Sequence, residues 1–425
     1  MFALIDCNSF FCSVEKVFHP GLREKPVVVL SSNDGCIVAL TPEAKALGLH
    51  RGDPVFRVKD IICYNKVHVF STNMMLYAAM SRRIVAIMRE SVSHVEQYSI
   101  DESFCDLQSY AKYFDLVDLM RQLREKILLY TDVPVSVGIA PTKTLAKMGS
   151  KFAKEYKGYN GVCMIDTDKK RRKALALFPL DDVWGIGRQT LAKLEYCGIH
   201  TPLQFADMSE AWVRSHLTKP GIQTWQELNG HPCIDTKEIH QKQTICTSRS
   251  FGEMVTDFDS LKASITTFAG SCANKLRGQS SGAKTVTVFI ASNRFRDDLT
   301  QYSNTATVTL PVHTSDTMEI TTAAIQALRS IWREGIHYKR SGVIVSDISS
   351  NENIEGDLFD PVKNRPERAR LMKEIDKINQ RYGIKTIKMA GEGDDKEAWR
   401  VKCDHRSGNF LTDADELLTV KDKQP

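Results

Sequence analysis

Strand and helix patterns alternate in two separate stretches of this chain, and that arrangement constrains the fold more than any single motif. In the second stretch a strand at 244–250 is followed by a helix at 260–277, strands at 284–292 and 305–310, a helix at 316–333 and a strand at 342–348. The order β-α-β-β-α-β builds a split sheet with both helices on one face. The first stretch opens with the apolar run Phe2 to Ile5, ended by Asp6, and a helical segment up to Pro20. Pro26 to Leu30 and Cys36 to Ala39 read as strands around the turn signal Ser32-Asn-Asp-Gly35. The pattern then predicts a helix over 74–90, a hairpin over Val95 to Leu107, a helix near 111–130, a strand over Val135 to Ile139 and a helix from Thr142. Strands and helices interleaved in this way give an α/β or α+β sheet domain. Between the two stretches, Lys169-Lys-Arg-Arg-Lys173 opens a mostly helical segment that ends near Pro232. Beyond Ser349 a polar linker leads to a charged helix near 366–381 and a tail. A multidomain chain follows, as its 425 residues also suggest.

The hydrophobic set makes up 42% and charged residues 26%, enough apolar mass for sizeable cores, which excludes a wholly disordered or fibrous protein. No apolar run approaches the ~18 residues of a membrane helix. The start, with Asp6 and no basic n-region, does not read as a signal peptide. Eleven cysteines are spread singly with no C-x-x-C pair, so neither a disulfide framework nor a zinc site is expected, and the reducing cytoplasm is the expected compartment. Net charge is +5, from 57 basic and 52 acidic side chains. Its partition says more than its size: −1 over 1–139, +5 over 140–230, +3 over 231–345 and −2 over 346–425. The middle of the chain is where a surface facing phosphate is to be sought.

Four motifs could carry chemistry, each with a plainer alternative. Asp6 ends a strand, and Asp101-Glu102 sit inside the hairpin; carboxylates on rigid strands suit hard divalent cations. The alternative is a helix cap at Asp6 and a solvated turn at Asp101-Glu102. Neighbours on a flat strand point to opposite faces, so that dipeptide can share a site only at a turn or bulge. Lys143, Lys147, Lys151 and Lys154 share one face of a helix, opposite Leu145, Met148, Gly149 and Phe152. That stripe could hold a triphosphate or a DNA backbone, or be a solvated face. Val183-Trp-Gly-Ile-Gly187, with Gly185, Gly187 and then Lys193, has the pattern of a helix-hairpin-helix whose free amides bind a DNA phosphate; any tight helix–helix turn also uses glycine. Leu358-Phe359, in the linker, could anchor in a partner's pocket or fold back on the preceding domain.

Taken in order, these residues resemble the Y-family translesion DNA polymerases, the UmuC type above all. Asp6-Cys-Asn-Ser-Phe-Phe11, Glu43-Ala-Lys45, Tyr98-Ser-Ile-Asp-Glu102, Gly138-Ile-Ala with Lys143-Thr-Leu-Ala-Lys147, Asp182-Val-Trp-Gly-Ile-Gly187 and Ser248-Arg-Ser-Phe-Gly252 match the family's motifs in sequence. The general pattern covers about 1–345, and the UmuC type extends it towards the C-terminus. The resemblance implies a right-hand polymerase with a ferredoxin-like palm over 1–19 and 74–165 and small fingers over 20–73. It further implies a thumb with a helix-hairpin-helix over 166–232, a β-α-β-β-α-β little finger over 243–345, and a linker and tail domain over 346–425.

It implies, too, that Asp6, Asp101 and Glu102 hold two Mg²⁺, with the Cys7 backbone carbonyl as a further ligand. The primer 3′-hydroxyl would then attack the α-phosphate of a dNTP. Phe11 falls at the sugar gate, and Lys45 and Lys154 at positions that grip the triphosphate. Gly185, Gly187, Lys193, Arg249 and Ser250 fall at positions facing primer–template DNA. Low-fidelity synthesis across damaged DNA in the bacterial SOS response is the implied function. Implied partners are a sliding clamp at Leu358 and Phe359, a processed UmuD-type dimer and a RecA filament. The sequence departs from the commoner form of the family in having Pro42 for Tyr and Lys45 for Arg, and Glu355-Gly356 for the Gln-Leu of the clamp motif. A lysine is a point charge without arginine's fork, so a less directional grip on phosphate is expected. Two other readings compete. A nucleotidyl cyclase has no use for the hairpin or the second sheet domain, and a non-catalytic DNA-binding relative has no use for three intact acids.

Overall fold

The structure, a computed structural model, describes residues 1–235, 241–353, 360, 362, 364–383, 386–393 and 399–418. The chain divides into two compact units, one of Met1–Ser31, Gly35–Ile239 and His405–Pro425, the other of Ser32–Asp34 and His240–Asp404.

In the first unit β1 (Phe2–Cys7) runs through a tight turn into α1 (Phe10–Phe18). An insert follows, with β2 (Val27–Leu30), β3 (Ile37–Leu40), α2 (Pro42–Ala46), α3 (Val55–Tyr64) and β4 (His68–Ser71). Its sheet, in the order β3-β2-β4, covers a small core of Val28, Leu30, Ile37, Ala44 and Leu49. Then come α4 (Met74–Ser91), β5 (Val95–Gln97), β6 (Glu102–Asp106), α5 (Leu116–Thr131), β7 (Val135–Ala140), α6 (Lys143–Glu155) and β8 (Val162–Met164). The main sheet has the order β5-β6-β1-β7-β8. Its first four strands, with α4 and α5 between them, are the split β-α-β-β-α-β arrangement that a ferredoxin-like domain requires. The helix expected near 111 starts only at Leu116, because the Asp115 carboxylate accepts the amides of Val117 and Asp118 at 2.8 and 3.1 Å and caps it there.

Side chains along β1 alternate. Ala3, Ile5 and Cys7 enter the core beneath α4 and α5, while Leu4 enters the core beneath α6. A period of two therefore sets Asp6 on the α6 face. Strand β7 is buried along its whole length, and α6 lies against it at a close approach that only glycine permits. A methyl group on Gly138 would stand 2.0 Å from the Ala146 carbonyl oxygen and 2.1 Å from the Ser150 nitrogen; Gly149 faces it from the helix. Helices α7 (Asp168–Leu177), α8 (Arg188–Tyr196), α9 (Pro202–Ala206), α10 (Glu210–His216) and α11 (Lys219–Leu228) complete this unit. They add Leu175, Leu194, Phe205 and Leu228 to the α6-side core. Buried Glu227 accepts the Thr144 amide at 2.9 Å, a carboxylate at the positive end of α6 that also satisfies an orphan donor.

The second unit contains β9 (Ile245–Val255), α12 (Phe258–Gly278), β10 (Ser281–Ser292), β11 (Ser303–Thr314), α13 (Thr317–Ile331) and β12 (Tyr338–Ser350). The sheet order is β11-β10-β12-β9, antiparallel throughout. Its strands outrun the predicted apolar segments because their outer faces are polar, as Thr305, Thr307 and Thr309 on β11 show. Helix α14 (Arg365–Tyr382) joins the second unit through Arg277–Asp376 at 2.6 Å and Arg368–Asp316 at 2.7 Å, while residues 405–418 belong to the first.

A Gly138→Ala variant should lose about 3 kcal/mol of stability, the upper end of the usual overpacking range. Gly21→Ala, with nothing within 4 Å of the added carbon, should melt as wild type does. Thermal melts of the two variants side by side check this.

Candidate active site

The end of β1 meets the start of β6, and there Asp6 and Glu102 are direct cross-strand partners. Directly opposed residues of an antiparallel pair put their side chains on one face. Asp6 lies within the strand, and the cap position of α1 is Ser9 in a left-handed conformation, so the helix-cap alternative for Asp6 does not hold. Asp101 precedes β6 in a turn, which removes the objection that it and Glu102 must point apart. The Ser99 hydroxyl accepts the amides of Asp101 and Glu102 at 3.2 and 2.9 Å and donates to the Asp101 carboxylate at 2.6 Å. The Asp101 carbonyl accepts the Cys7 amide at 2.9 Å, so the three acids are pinned to one another through backbone.

The lysine stripe of α6 is neither a solvated face nor a row of free cations. Lys154 Nζ lies 3.0 Å from Asp6, Lys147 Nζ 2.9 Å from Glu102 and Lys143 Nζ 2.8 Å from Glu96, while Lys151 pairs with Asp182. Lys147 also sits 4.7 Å from the Tyr98 ring centroid and 5.3 Å from that of Trp184, whose indole N–H donates to the Tyr98 hydroxyl at 3.2 Å. Burial pushes the Asp6 carboxyl above its ordinary value; Lys154 pulls it down, and the charges of Glu102 and Asp101 push it further up. Burial also raises the Cys7 thiol, which belongs to the core on the other face, so its backbone alone is on offer.

Among the described residues no three His, Cys, Asp or Glu side chains are gathered into a ready metal cage. The donor set nevertheless fits a hard divalent cation: all ligands on offer are oxygens, and two of the acids are already neutralised by an exchangeable ammonium.

The remaining residues singled out from the sequence fall elsewhere. Phe11, the second residue of α1, stacks on Tyr77 with centroids 4.5 Å apart and planes 16° apart. Lys45 is exposed on α2, and Ser9 Oγ donates to the carbonyl of Leu40 at 3.0 Å, tying the strand before α2 to the turn before α1. Gly185 has φ +96°, and a methyl there would stand 2.1 Å from Thr224 Oγ1, so glycine is required twice over. Gly187 caps α8, but the helix before the hairpin is reduced to a single 3₁₀ turn, Leu180–Asp182. Lys193, exposed on α8, donates to the His216 carbonyl. Arg249 and Ser250 lie on β9 of the second unit, where Ser250 pairs with Arg340 in a recess of about 600 Å³ that also includes Arg294 and Phe295. Leu358 and Phe359 lie outside the described residues. Sequence reasoning missed Tyr77 and Glu227, neither of which carries a local signal, and Arg294 and Arg340, of which Arg294 lies in the basic hairpin tip Arg294-Phe-Arg296; Trp184 stands in the quoted hairpin motif without a role assigned to it.

Comparison with known proteins covers nearly the whole chain. Residues 5–151 match the impB/mucB/samB family, residues 242–358 that family's C-terminal domain, and residues 369–420 a domain of unknown function (DUF4113). Protein UmuC of Salmonella typhimurium is 40% identical over 99% of this chain and 100% of its own length. A DNA polymerase IV of Oceanobacillus iheyensis is 28% identical over 90% of each chain. Among solved structures, a Y-family DNA polymerase chimera of Dbh and Dpo4 superposes with a TM-score of 0.64 at 21% identity, covering 83% of this chain and 100% of that one.

The raised Asp6 carboxyl sets a pH dependence. The folded chain holds that proton more tightly than the unfolded chain, so metal-free stability should fall as pH rises from the ordinary carboxylate range through the raised value. Above that window Asp6→Asn should melt higher than wild type in EDTA, and the gap should close below it. Melting curves across pH check this; an Asn variant that melts lower at neutral pH contradicts it.

Proposed function

The chain belongs to the impB/mucB/samB family of UmuC-type Y-family DNA polymerases, and from that membership we infer that it copies DNA past damaged template bases. It is a DNA polymerase of the translesion class, it binds DNA and deoxynucleotides, and its activity depends on divalent metal. Among the described residues no helix is long and apolar enough to cross a membrane.

The assignment of parts is our proposal. Residues 1–19 and 74–165 are the palm, 20–73 the fingers, 166–232 the thumb and 243–345 the little finger. Asp6, Asp101, Glu102 and the Cys7 carbonyl hold two Mg²⁺. What supports this most is the cross-strand pair Asp6–Glu102, backed by Lys154 and Lys147, at the end of a ferredoxin-like sheet. When bound, two such ions supply the charge that activates a primer 3′-hydroxyl and neutralises departing pyrophosphate. The residues then position and balance charge, as phosphoryl transfer requires. Lys154, freed from Asp6, and Lys45 grip the triphosphate. The Phe11 ring, backed by Tyr77, meets the sugar and leaves no room for a 2′-hydroxyl. The surplus of +8 over residues 140–345 attracts the primer–template, with the amides behind Gly185 and Gly187 and the side chains of Lys193, Arg249 and Ser250 as contacts. A sliding clamp bound through Leu358 and Phe359, a processed UmuD-type dimer and a RecA filament are the partners we propose, with action at the bacterial nucleoid.

Primer extension with Mg²⁺ and dNTPs tests the reading. Alanine at Asp6, Asp101 or Glu102 should each lower kcat by about 10³-fold or more, the scale of losing a metal's charge stabilisation. Phe11→Ala should admit ribonucleotides. DNA affinity should fall steeply with salt. Failure of the chain to extend any primer, with the three candidate partners supplied, would sink the catalytic assignment.

A further inference from the structure

The end of the chain touches the sugar gate through a buried relay. Phe11 and Glu15 stand one helical turn apart on α1 and so share a face. Tyr77 on α4 spans both: its ring stacks on Phe11, and its hydroxyl donates to Glu15 Oε1 at 2.7 Å. Glu15 and Tyr77 are both fully buried. The other donor to Glu15 Oε1 is the Ser407 hydroxyl, at 2.9 Å. Ser407 is itself held. Buried Asn73, whose side-chain oxygen caps α4 at the Leu76 amide, donates its NH₂ to the carbonyls of Ser407 and Gly408 at 2.9 and 3.2 Å. His405 and Ser71 exchange two bonds, the Ser71 amide to the His405 carbonyl at 3.0 Å and the His405 amide to Ser71 Oγ at 2.9 Å. Phe410 then packs on Phe18 and His19, further along the α1 stripe that begins at Phe11 and Glu15.

We infer that residues 405–410 are a positioning segment for sugar selection, with Ser407 and Asn73 acting through Glu15 and Tyr77 to fix the height of the Phe11 ring. The segment lies inside the matched domain of unknown function and gives part of it a task. The inference rests on the proposed role of Phe11 as the gate. Its physical basis is that a stacked ring can slide sideways at little cost. What stops the Tyr77 ring from sliding is its hydroxyl bond, and what stops the acceptor of that bond from turning is Ser407. Ser407 and Asn73 are positioning residues, remote from the reacting atoms.

The test is single-nucleotide insertion opposite one template base by the full chain, under conditions in which wild type extends a primer, with dCTP and CTP compared. Ser407→Ala should lower the ratio of kcat/KM for dCTP over CTP by about tenfold, the scale of one lost hydrogen bond to a charged group. Ser407→Thr, which keeps the hydroxyl, should restore the ratio. Tyr77→Phe, which keeps the ring, should lower it as well, and the double variant should lower it by less than the product of the two, because both act through Glu15. A wild-type ratio in Ser407→Ala, including an equal loss for both nucleotides, overturns the inference while Phe11→Ala still admits CTP. If Phe11→Ala itself discriminates as wild type does, the gate assignment fails and the inference falls with it. Should Ser407→Ala not yield folded protein, Tyr77→Phe breaks the same relay from the other side: a lowered ratio supports the inference and a wild-type ratio overturns it.

Discussion

One helix face holds the first unit's acids in place. Lys143, Lys147, Lys151 and Lys154 each engage a carboxylate from a different place in the chain: Glu96 on β5, Glu102 on β6, Asp182 before the glycine hairpin and Asp6 on β1. The innermost pair, Lys143–Glu96, is almost out of solvent, where deleting one partner strands the other at a cost of ~3–5 kcal/mol. The outer pairs are more exposed and more readily exchanged. A gradient from structural to exchangeable pairing thus runs along three turns of α6. The Gly138–Gly149 approach makes it possible, because it brings the helix close enough to the sheet for lysines to reach strand ends.

Much of this was legible in the sequence, and the reasons for the rest are physical. The strand–helix order of both sheet units could be read because apolar runs or apolar–polar alternation, bounded by turn residues, mark each strand. The lysine periodicity was equally plain. Its partners were not, since a spacing of four identifies a face and says nothing of what lies across from it. For the same reason Asp6 could be marked as a strand-end acid while its pairing with Glu102, set by register across 96 positions of sequence, could not. Helix α5 was placed too early because the Asp115 cap outweighs the apolar residues before it. Tyr77 looked like any core residue of an amphipathic helix, and only its neighbours distinguish it.

The second unit makes a parallel point about charge. Residues 231–345 carry a net excess of only three, yet β9 and β12 lie side by side with Arg249 opposite Ser341 and Arg340 opposite Ser250. With Arg294 and Lys339 at the same recess as Arg340, basic groups from β12 and from the loop after β10 converge where the sequence separates them by dozens of positions. A polyanion responds to that local density far more than to the total.

The bond from the Ser407 hydroxyl to Glu15 Oε1 joins residues 392 positions apart. Synthesis runs from the N-terminus, so β1 and α1 leave the ribosome while Ser407 is still to be made, and at ~5–20 residues per second the wait lasts tens of seconds. Through that interval a carboxylate bound for a fully buried place lacks one of its two donors. The first unit therefore reaches its final form only after nearly the entire polypeptide has emerged, and a chain truncated before residue 407 cannot complete it.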